Sequence, residues 1–211
     1  MAEIPLILRL KKKVHKDIAL AQDLIVEALY DVFPEAVLHG GTAIWRCYSG
    51  KRFSEDVDVY IEKDDKQIKQ LFEKFKQKGF QIKKKISENS IYSSLNFQGT
   101  IIRFEALFKK IKGNLANYET AESNRIIIYS LTREELIKEK IETYLKRKKI
   151  RDLYDIFFLL PKSNPNKIKK PLQKLLKKYS APNDKENLQT IILQGAVPNP
   201  GEMINFIRGY L

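Results

Sequence analysis

Residues 56–61 read Asp-Val-Asp-Val-Tyr-Ile, and this alternation narrows most what the chain can become. Residues two apart on a strand share a face, so Val57, Val59 and Ile61 belong to one side and Asp56, Asp58 and Tyr60 to the other. Such a strand needs a core on one side and leaves two carboxylates on the side away from it. Upstream, Gly40-Gly41-Thr42 lies between the short apolar run Ala36-Val37-Leu38 and a helical pattern through Trp45. The order is therefore strand, glycine turn, helix, a loop through Arg52 and Ser54, and strand. Glycines at such a turn let backbone N–H groups approach a phosphate, and the helix N-terminus favours negative charge. A tight turn alone would also account for them. Alternate carboxylates can hold Mg²⁺, which prefers oxygen ligands, few from protein and the rest from water and phosphate. An exposed polar strand face is the alternative, and the presence of both features in one strand–helix–strand unit favours the chemical reading.

The flanking sequence supplies a sheet and its cover. Residues 5–33 form one helical pattern, with Ala21, Leu24, Ile25, Ala28, Leu29 and Val32 as its apolar stripe. Residues 64–78 predict an amphipathic helix stopped by Gly79. Strands follow at residues 80–86, 91–97 and 101–108, the last two joined by a Gln98-Gly99 hairpin turn. In the last strand Ile102, Phe104, Ala106 and Phe108 share a face and leave Arg103 and Glu105 on the other. Glu105 is thus a candidate third carboxylate for two-metal phosphoryl chemistry; a charge partner for Arg103 is the alternative. Residues 109–125 are polar and yield no assignment, and Ile126 to Tyr129 predicts a final strand. The character changes at Thr132, which with Glu135 has capping-box spacing. Helices are expected at about 132–149 and 151–160, then helical patterns punctuated by prolines. The expectation is a mixed α/β half over residues 1–130 and a helical half over 131–211.

Within the helical half, Lys140, Tyr144 and Arg147 share a helix face by their spacing, and Lys140 could hold a triphosphate as a point charge. Asp152 and Asp155 also share a face, and the helix dipole would explain acidic residues there without any function. The two histidines, His15 and His39, have no zinc spacing; His39 adjoins the glycine turn, where a packed or capped histidine is expected rather than a base. Cys47 and Trp45 read as one side of a buried helix.

The 211 residues carry a formal net charge of +13, which argues for an anionic partner such as a nucleotide, RNA, DNA or an acidic membrane surface. Lysine-rich solubility is the bland alternative. One cysteine excludes an internal disulfide or a cysteine metal cluster, as suits a reducing cytoplasm. The opening Met-Ala-Glu-Ile-Pro has no basic and apolar sections of a signal peptide, and no apolar run approaches the ~20 residues of a membrane helix. A cytoplasmic protein with no membrane partner is expected.

Gly40-Gly41-Thr42 followed by Arg52-Phe53-Ser54-Glu55-Asp56-Val57-Asp58 resembles the signature of the nucleotidyltransferase superfamily that has the DNA polymerase β palm. Together with Arg151-Asp152-Leu153-Tyr154-Asp155 it is similar, more narrowly, to the AbiEii/AbiGii toxin branch. The resemblance spans roughly residues 38–160. It implies an α/β (α+β) fold, a minimal palm of mixed strands flanked by helices and followed by a helical C-terminal domain, with a cleft between them for a nucleoside triphosphate and Mg²⁺ or Mn²⁺. It implies Asp56 and Asp58 as metal ligands with Glu105 a candidate third. Gly40, Gly41, Thr42, Arg52, Ser54 and Lys140 would contact nucleotide, and Asp152 matches the acidic position of the last motif. Thr42 stands where the wider superfamily often has serine, and the chain is short for the branch.

The expected activity is Mg²⁺-dependent transfer of a nucleoside monophosphate from a triphosphate to a hydroxyl acceptor, an RNA and in particular the tRNA 3′ end. The protein would act as the toxin of a toxin–antitoxin or abortive-infection system, with an antitoxin protein as partner. A nucleotide- or RNA-binding module without turnover is a second reading, and transfer to a small-molecule or protein hydroxyl is a third.

Overall fold

The alternating strand at 57–61 sits in the middle of a seven-stranded sheet. The computed structural model describes residues 4–211; residues 1–3, which the expected first half includes, lie outside the described residues. Backbone contacts divide the chain into two units, one holding the residues up to Ser49 and Phe53–Leu131, the other Gly50–Arg52 and Thr132–Leu211.

In the first unit the strands are β1 (Val37–His39), β2 (Val57–Ile61), β3 (Gln81–Ile86), β4 (Ser90–Phe97), β5 (Thr100–Phe108), β6 (Asn114–Glu119) and β7 (Arg125–Ser130). Their order is β3-β4-β5-β2-β1-β7-β6. The β2/β5 and β1/β7 pairs are parallel and the rest antiparallel, so the sheet is mixed. Its helices are α1 (Leu6–Arg9), α2 (Lys13–Val32), α3 (Gly40–Cys47) and α4 (Asp65–Gln77). The alternation works as expected: Val57, Val59 and Ile61 are buried with Phe104 and Ala106 of β5, while Asp58 and Glu105 are half-exposed on the other face. Phe75 of α4 fixes the helix to this core through edge contacts with Phe80 and Phe104. Gln98 and Gly99, both at positive φ, make the two-residue turn between β4 and β5.

Three expectations need correction. The single helix over 5–33 is broken at Leu10, whose backbone is extended and whose side chain is buried. The cause is tertiary: Ile7 N–H donates to the Ala121 carbonyl at 2.8 Å, Leu6 N–H donates to Ser123 Oγ at 2.8 Å, and Arg9 pairs with Glu119. These contacts tie α1 to the end of the β6–β7 hairpin and leave α2 to start afresh. The unassigned stretch 109–125 contains β6, an edge strand paired along its length with β7. Of the prolines expected to punctuate the C-terminal helical patterns, Pro182 and Pro198 do lie between helices, but two others open helices. Pro165 and Pro200 stand at the first positions of α7 (Pro165–Lys177) and α9 (Pro200–Arg208), where a missing N–H costs nothing; only Pro171 is internal.

The second unit is helical: α5 (Arg133–Arg147), α6 (Ile150–Leu159), a 3₁₀ turn at Leu160–Lys162, α7, α8 (Asn187–Ile191) and α9. The capping box at Thr132 and Glu135 is formed in both directions. Helix α5 ends at Lys148 in the left-handed conformation, and Tyr144 donates its hydroxyl to the Ser180 carbonyl at 2.7 Å. The short segment Gly50–Arg52 belongs here because Leu193 N–H donates to the Lys51 carbonyl at 2.8 Å and Arg52 bridges to Ile192. Among the described residues no helix is long and apolar enough to cross a membrane.

Candidate active site

Strand pairing, not chain proximity, builds the carboxylate site. Asp58 stands directly opposite Glu105 on the neighbouring parallel strand β5, and opposite His39 on β1. Residues level with each other on adjacent strands put their Cβ atoms about 5 Å apart on the same face, so the sheet forces two carboxylates together. Glu105 registers this crowding: burial first, and then the charge of Asp58, raise its carboxyl above the ordinary value. His39 stacks on the Tyr60 ring at 4.0 Å between centroids, so it is a packed histidine beside the carboxylates.

Gly40 is required by both conformation and space. Its φ of +70° is left-handed, and a Cβ there would lie 2.3 Å from Asp58 Oδ2. The glycine lets the start of α3 and the Asp58 carboxylate approach closely, and the first N–H groups of that helix have no intrahelical acceptor. Thr42 is placed otherwise than as a side-chain ligand. It is fully buried, and its hydroxyl donates to the Asp56 carbonyl. Gln22 of α2, also fully buried, donates from Nε2 to the Ser54 carbonyl at 2.9 Å and reaches the Asp56 carbonyl at 3.5 Å. Together they clamp the loop that leads into β2. Sequence reasoning passed over Gln22; the signal was a polar residue inside the apolar stripe of α2. Ser54 is buried in that loop as well.

Asp56 precedes β2 by one residue and is held by Arg103, which donates from Nε to Oδ1 at 2.7 Å and from Nη2 to Oδ2 at 2.6 Å. Hydrogen bonding to Asp56 is the chief reason the Arg103 guanidinium is held even more firmly protonated than usual. Arg103 thus makes its ion pair with Asp56, while its charge also acts on Glu105 and partly offsets the rise of that carboxyl. Among the described residues no three of His, Cys, Asp and Glu are grouped to hold a metal ion, so the set Asp56, Asp58 and Glu105 is not assembled as three ligands. The residues present still fit a hard divalent cation. Asp58 and Glu105 are adjacent oxygen donors, and Asp56 already sits against a positive group in Arg103. Mg²⁺ needs only one or two protein carboxylates besides water and phosphate.

The other candidates gather in the helical unit as a buried ion network. Arg52 donates to Asp155 from Nε at 2.5 Å and from Nη2 at 2.6 Å. Lys140 Nζ lies 2.8 Å from Asp155 Oδ2 and 3.5 Å from Asp152 Oδ1. Arg147 closes the cluster with a bidentate pair on Asp152, at 2.7 and 2.8 Å. Both aspartates have no exposed surface, and Lys140 and Arg52 are 7% and 4% exposed. Burial would push the Asp155 carboxyl up, but the charges of Arg52 and Lys140 and their hydrogen bonds outweigh it and hold it below the usual carboxylate range. Helix-dipole interaction is therefore not what accounts for these two acids: three basic side chains neutralise them. Cys47 is no nucleophile, because burial pushes its thiol up to about 12. His15 stacks on Phe53 at 3.9 Å, a packing role.

The sequence matches the family described as nucleotidyl transferase AbiEii toxin, type IV TA system, over residues 23–200. The chain belongs to the AbiEii family of nucleotidyltransferase toxins. The AbiEii-type fold is shared with solved structures at low sequence identity. MenT4, a nucleotidyltransferase toxin from Mycobacterium tuberculosis H37Rv, matches 93% of this chain and 82% of its own at 15% identity and a TM-score of 0.65. JHP933 from Helicobacter pylori matches 94% and 90% at 17% identity and the same TM-score. The antibiotic-resistance factor ANT(2'')-Ia covers 76% of this chain and 92% of its own at 11% identity and a TM-score of 0.52. No curated protein matches in sequence. This AbiEii-family chain is a nucleotidyltransferase on that evidence, and the expected α/β architecture is borne out.

The ion network makes a stability prediction. Asp155→Asn leaves Arg52 and Lys140 buried with one fewer carboxylate charge, a loss of about 3–5 kcal/mol of the kind seen when a buried pair is broken. Because Asp155 has a depressed folded-state pKa, its contribution is present above the unfolded value near ~3.9 and is lost as pH falls through the folded one. Urea unfolding at neutral pH should show a lower midpoint for the variant, and the gap to wild type should close in strong acid.

Proposed function

We propose that this protein transfers a nucleoside monophosphate from a nucleoside triphosphate to the 3′-hydroxyl of an RNA, with the tRNA 3′ end as the acceptor, in a reaction dependent on Mg²⁺. The observation that carries the reading is the alignment of Asp58 with Glu105 against the Gly40 turn. Two crowded carboxylates and a helix start that offers backbone N–H groups are complementary to a metal-bound polyphosphate. The net charge of +13 supports an anionic acceptor. The family's toxin character supports an antitoxin protein as partner, and the cytoplasm, where triphosphates and RNA meet, as the place of action.

Asp58 and Glu105, with Asp56 once it leaves Arg103, would hold Mg²⁺. When bound, the ion lowers the pKa of the attacking hydroxyl and offsets charge on the leaving oxygen. The 3′-oxygen forms the new bond to the α-phosphorus as the α–β phosphoanhydride bond breaks. The hydroxyl proton passes to solvent and pyrophosphate leaves. The backbone N–H groups at Gly40, Gly41 and Thr42 bind the β- and γ-phosphates, while the Thr42 side chain and Gln22 keep the Asp56 loop in place. Arg52, Lys140 and Asp152 act in this reading as positioning residues, since their charges are already paired within the helical unit.

Labelled triphosphates incubated with the protein, Mg²⁺ and total tRNA test the transfer. Wild type should label RNA, and Asp56→Ala/Asp58→Ala should lose at least about a hundredfold, because metal charge stabilisation is worth several kcal/mol and each ~1.4 is tenfold. Equal labelling by the double variant would contradict the assignment. Glu105→Gln gives an independent signature without turnover. Removing one of two crowded charges should raise the melting temperature in EDTA and shrink the rise that Mn²⁺ or Mg²⁺ induces. A variant less stable than wild type in EDTA would show that Glu105 serves folding instead.

A further inference from the structure

The face that carries Asp58 and Glu105 continues outward across β5, β4 and β3. A single register row runs along it: Asp58 opposite Glu105, Glu105 opposite Tyr92, Tyr92 opposite Lys85. The next row brings Arg103, Ser94 and Lys83 level with one another. Lys84 points to the other side, where its ammonium lies 3.9 Å over the Phe72 ring of α4. Lys83 and Lys85 therefore face away from that helix, and both are exposed. Tyr92, 48% exposed, lies between Glu105 and Lys85 in the first row, with Lys83 diagonal to it and Arg103 beside its hydroxyl.

An accessible aromatic ring with Lys85 directly across from it on the side away from the carboxylates, and Lys83 diagonal to it, has little use in folding. It meets the two needs of unstacked nucleic acid, a surface for a base and positive charge for the backbone. A duplex offers no free base face, and a neutral or basic protein partner would not complement the lysines. Tyr92 lies two strand spacings, about 10 Å, from Asp58 along the row, within reach of a nucleotide whose hydroxyl lies at the carboxylates.

We propose that this face seats the single-stranded 3′ end of the acceptor RNA, with a base stacked on Tyr92 and backbone phosphates on Lys83 and Lys85. The inference rests on the proposed transfer to RNA and specifies where that RNA lies.

Fluorescence anisotropy of a labelled short single-stranded RNA, titrated with the full chain in EDTA, reads binding without chemistry. Tyr92→Ala should weaken binding about tenfold, the usual loss for one stacked base, and Tyr92→Phe should bind as wild type does. Lys83→Glu/Lys85→Glu should flatten the salt dependence by about 0.7 in log–log slope per lost phosphate contact. The matched control Lys66→Glu/Lys69→Glu, exposed on α4, should leave the slope near wild type. Unchanged RNA affinity in Tyr92→Ala, or an equal loss in the α4 control, overturns the proposal. So does a result in which Tyr92→Ala disturbs binding of a protein partner while RNA binding stays intact. The two claims separate cleanly. RNA binding that depends on Tyr92 supports the platform even where wild type transfers no nucleotide, a result that would count against the transfer reading alone. Transfer that survives with RNA affinity untouched by these variants removes the platform alone.

Discussion

The parallel pairing of β2 with β5 is the constraint on which the site depends. It sets Asp58 beside Glu105 at a separation that neither carboxylate would choose in water, and the sheet can impose it because both strands are anchored from the opposite face. Val57, Val59, Phe104 and Ala106 are completely buried there, so a one-residue slip would send apolar side chains to solvent and both acids into the core. The electrostatic cost of the pair is thus carried by the hydrophobic face of the same two strands. In the proposed function a divalent cation held by the two carboxylates would offset that cost.

The surrounding polar contacts position this pair rather than extend it. Gly40 gives up a side chain so that α3 can begin against Asp58. Gln22 and Thr42 spend buried hydrogen bonds on the backbone of the loop before β2, which holds Asp56 in place for Arg103. In the helical unit a separate set of charges does similar work: Arg52, Lys140 and Arg147 neutralise two aspartates that have no access to water. Removing one partner there would leave an uncompensated charge, so that cluster is sensitive to substitution without needing to touch a substrate.

Much of this was legible from local pattern. The period of two in Asp56–Ile61 and in Ile102–Phe108 assigned faces correctly because the apolar side of each strand is buried, although Tyr60 is buried on the Asp58 side as well. The Thr132–Glu135 box and the Gln98-Gly99 turn carry their own geometry. What depends on distant partners was not legible. The break at Leu10 follows from hydrogen bonds to residues 121 and 123, which no helical periodicity can register. Strand β6 escaped because it is an edge strand: Leu115 is 69% exposed while Tyr118 is fully buried, so its apolar residues do not alternate cleanly. The pairing of Arg103 with Asp56, and of Arg52 with Asp155, joins residues far apart in sequence. The family resemblance implied a nucleotide contact for Arg52, and a place in the first turn of a helix suggested a dipole effect for Asp155; only the folded chain shows each charge already matched.

The central claim is that Asp58 and Glu105 form the core of a cation site that completes itself around a triphosphate. A crystal of the protein grown with Mn²⁺ and a non-hydrolysable triphosphate analogue, with data collected at the manganese edge, addresses it directly. The account predicts an anomalous peak in contact with both Asp58 and Glu105, the polyphosphate against the N–H groups of Gly40 to Thr42, and Asp56 released from Arg103. Manganese bound away from these two carboxylates, or a triphosphate seated with no contact to the Gly40 turn, would contradict it.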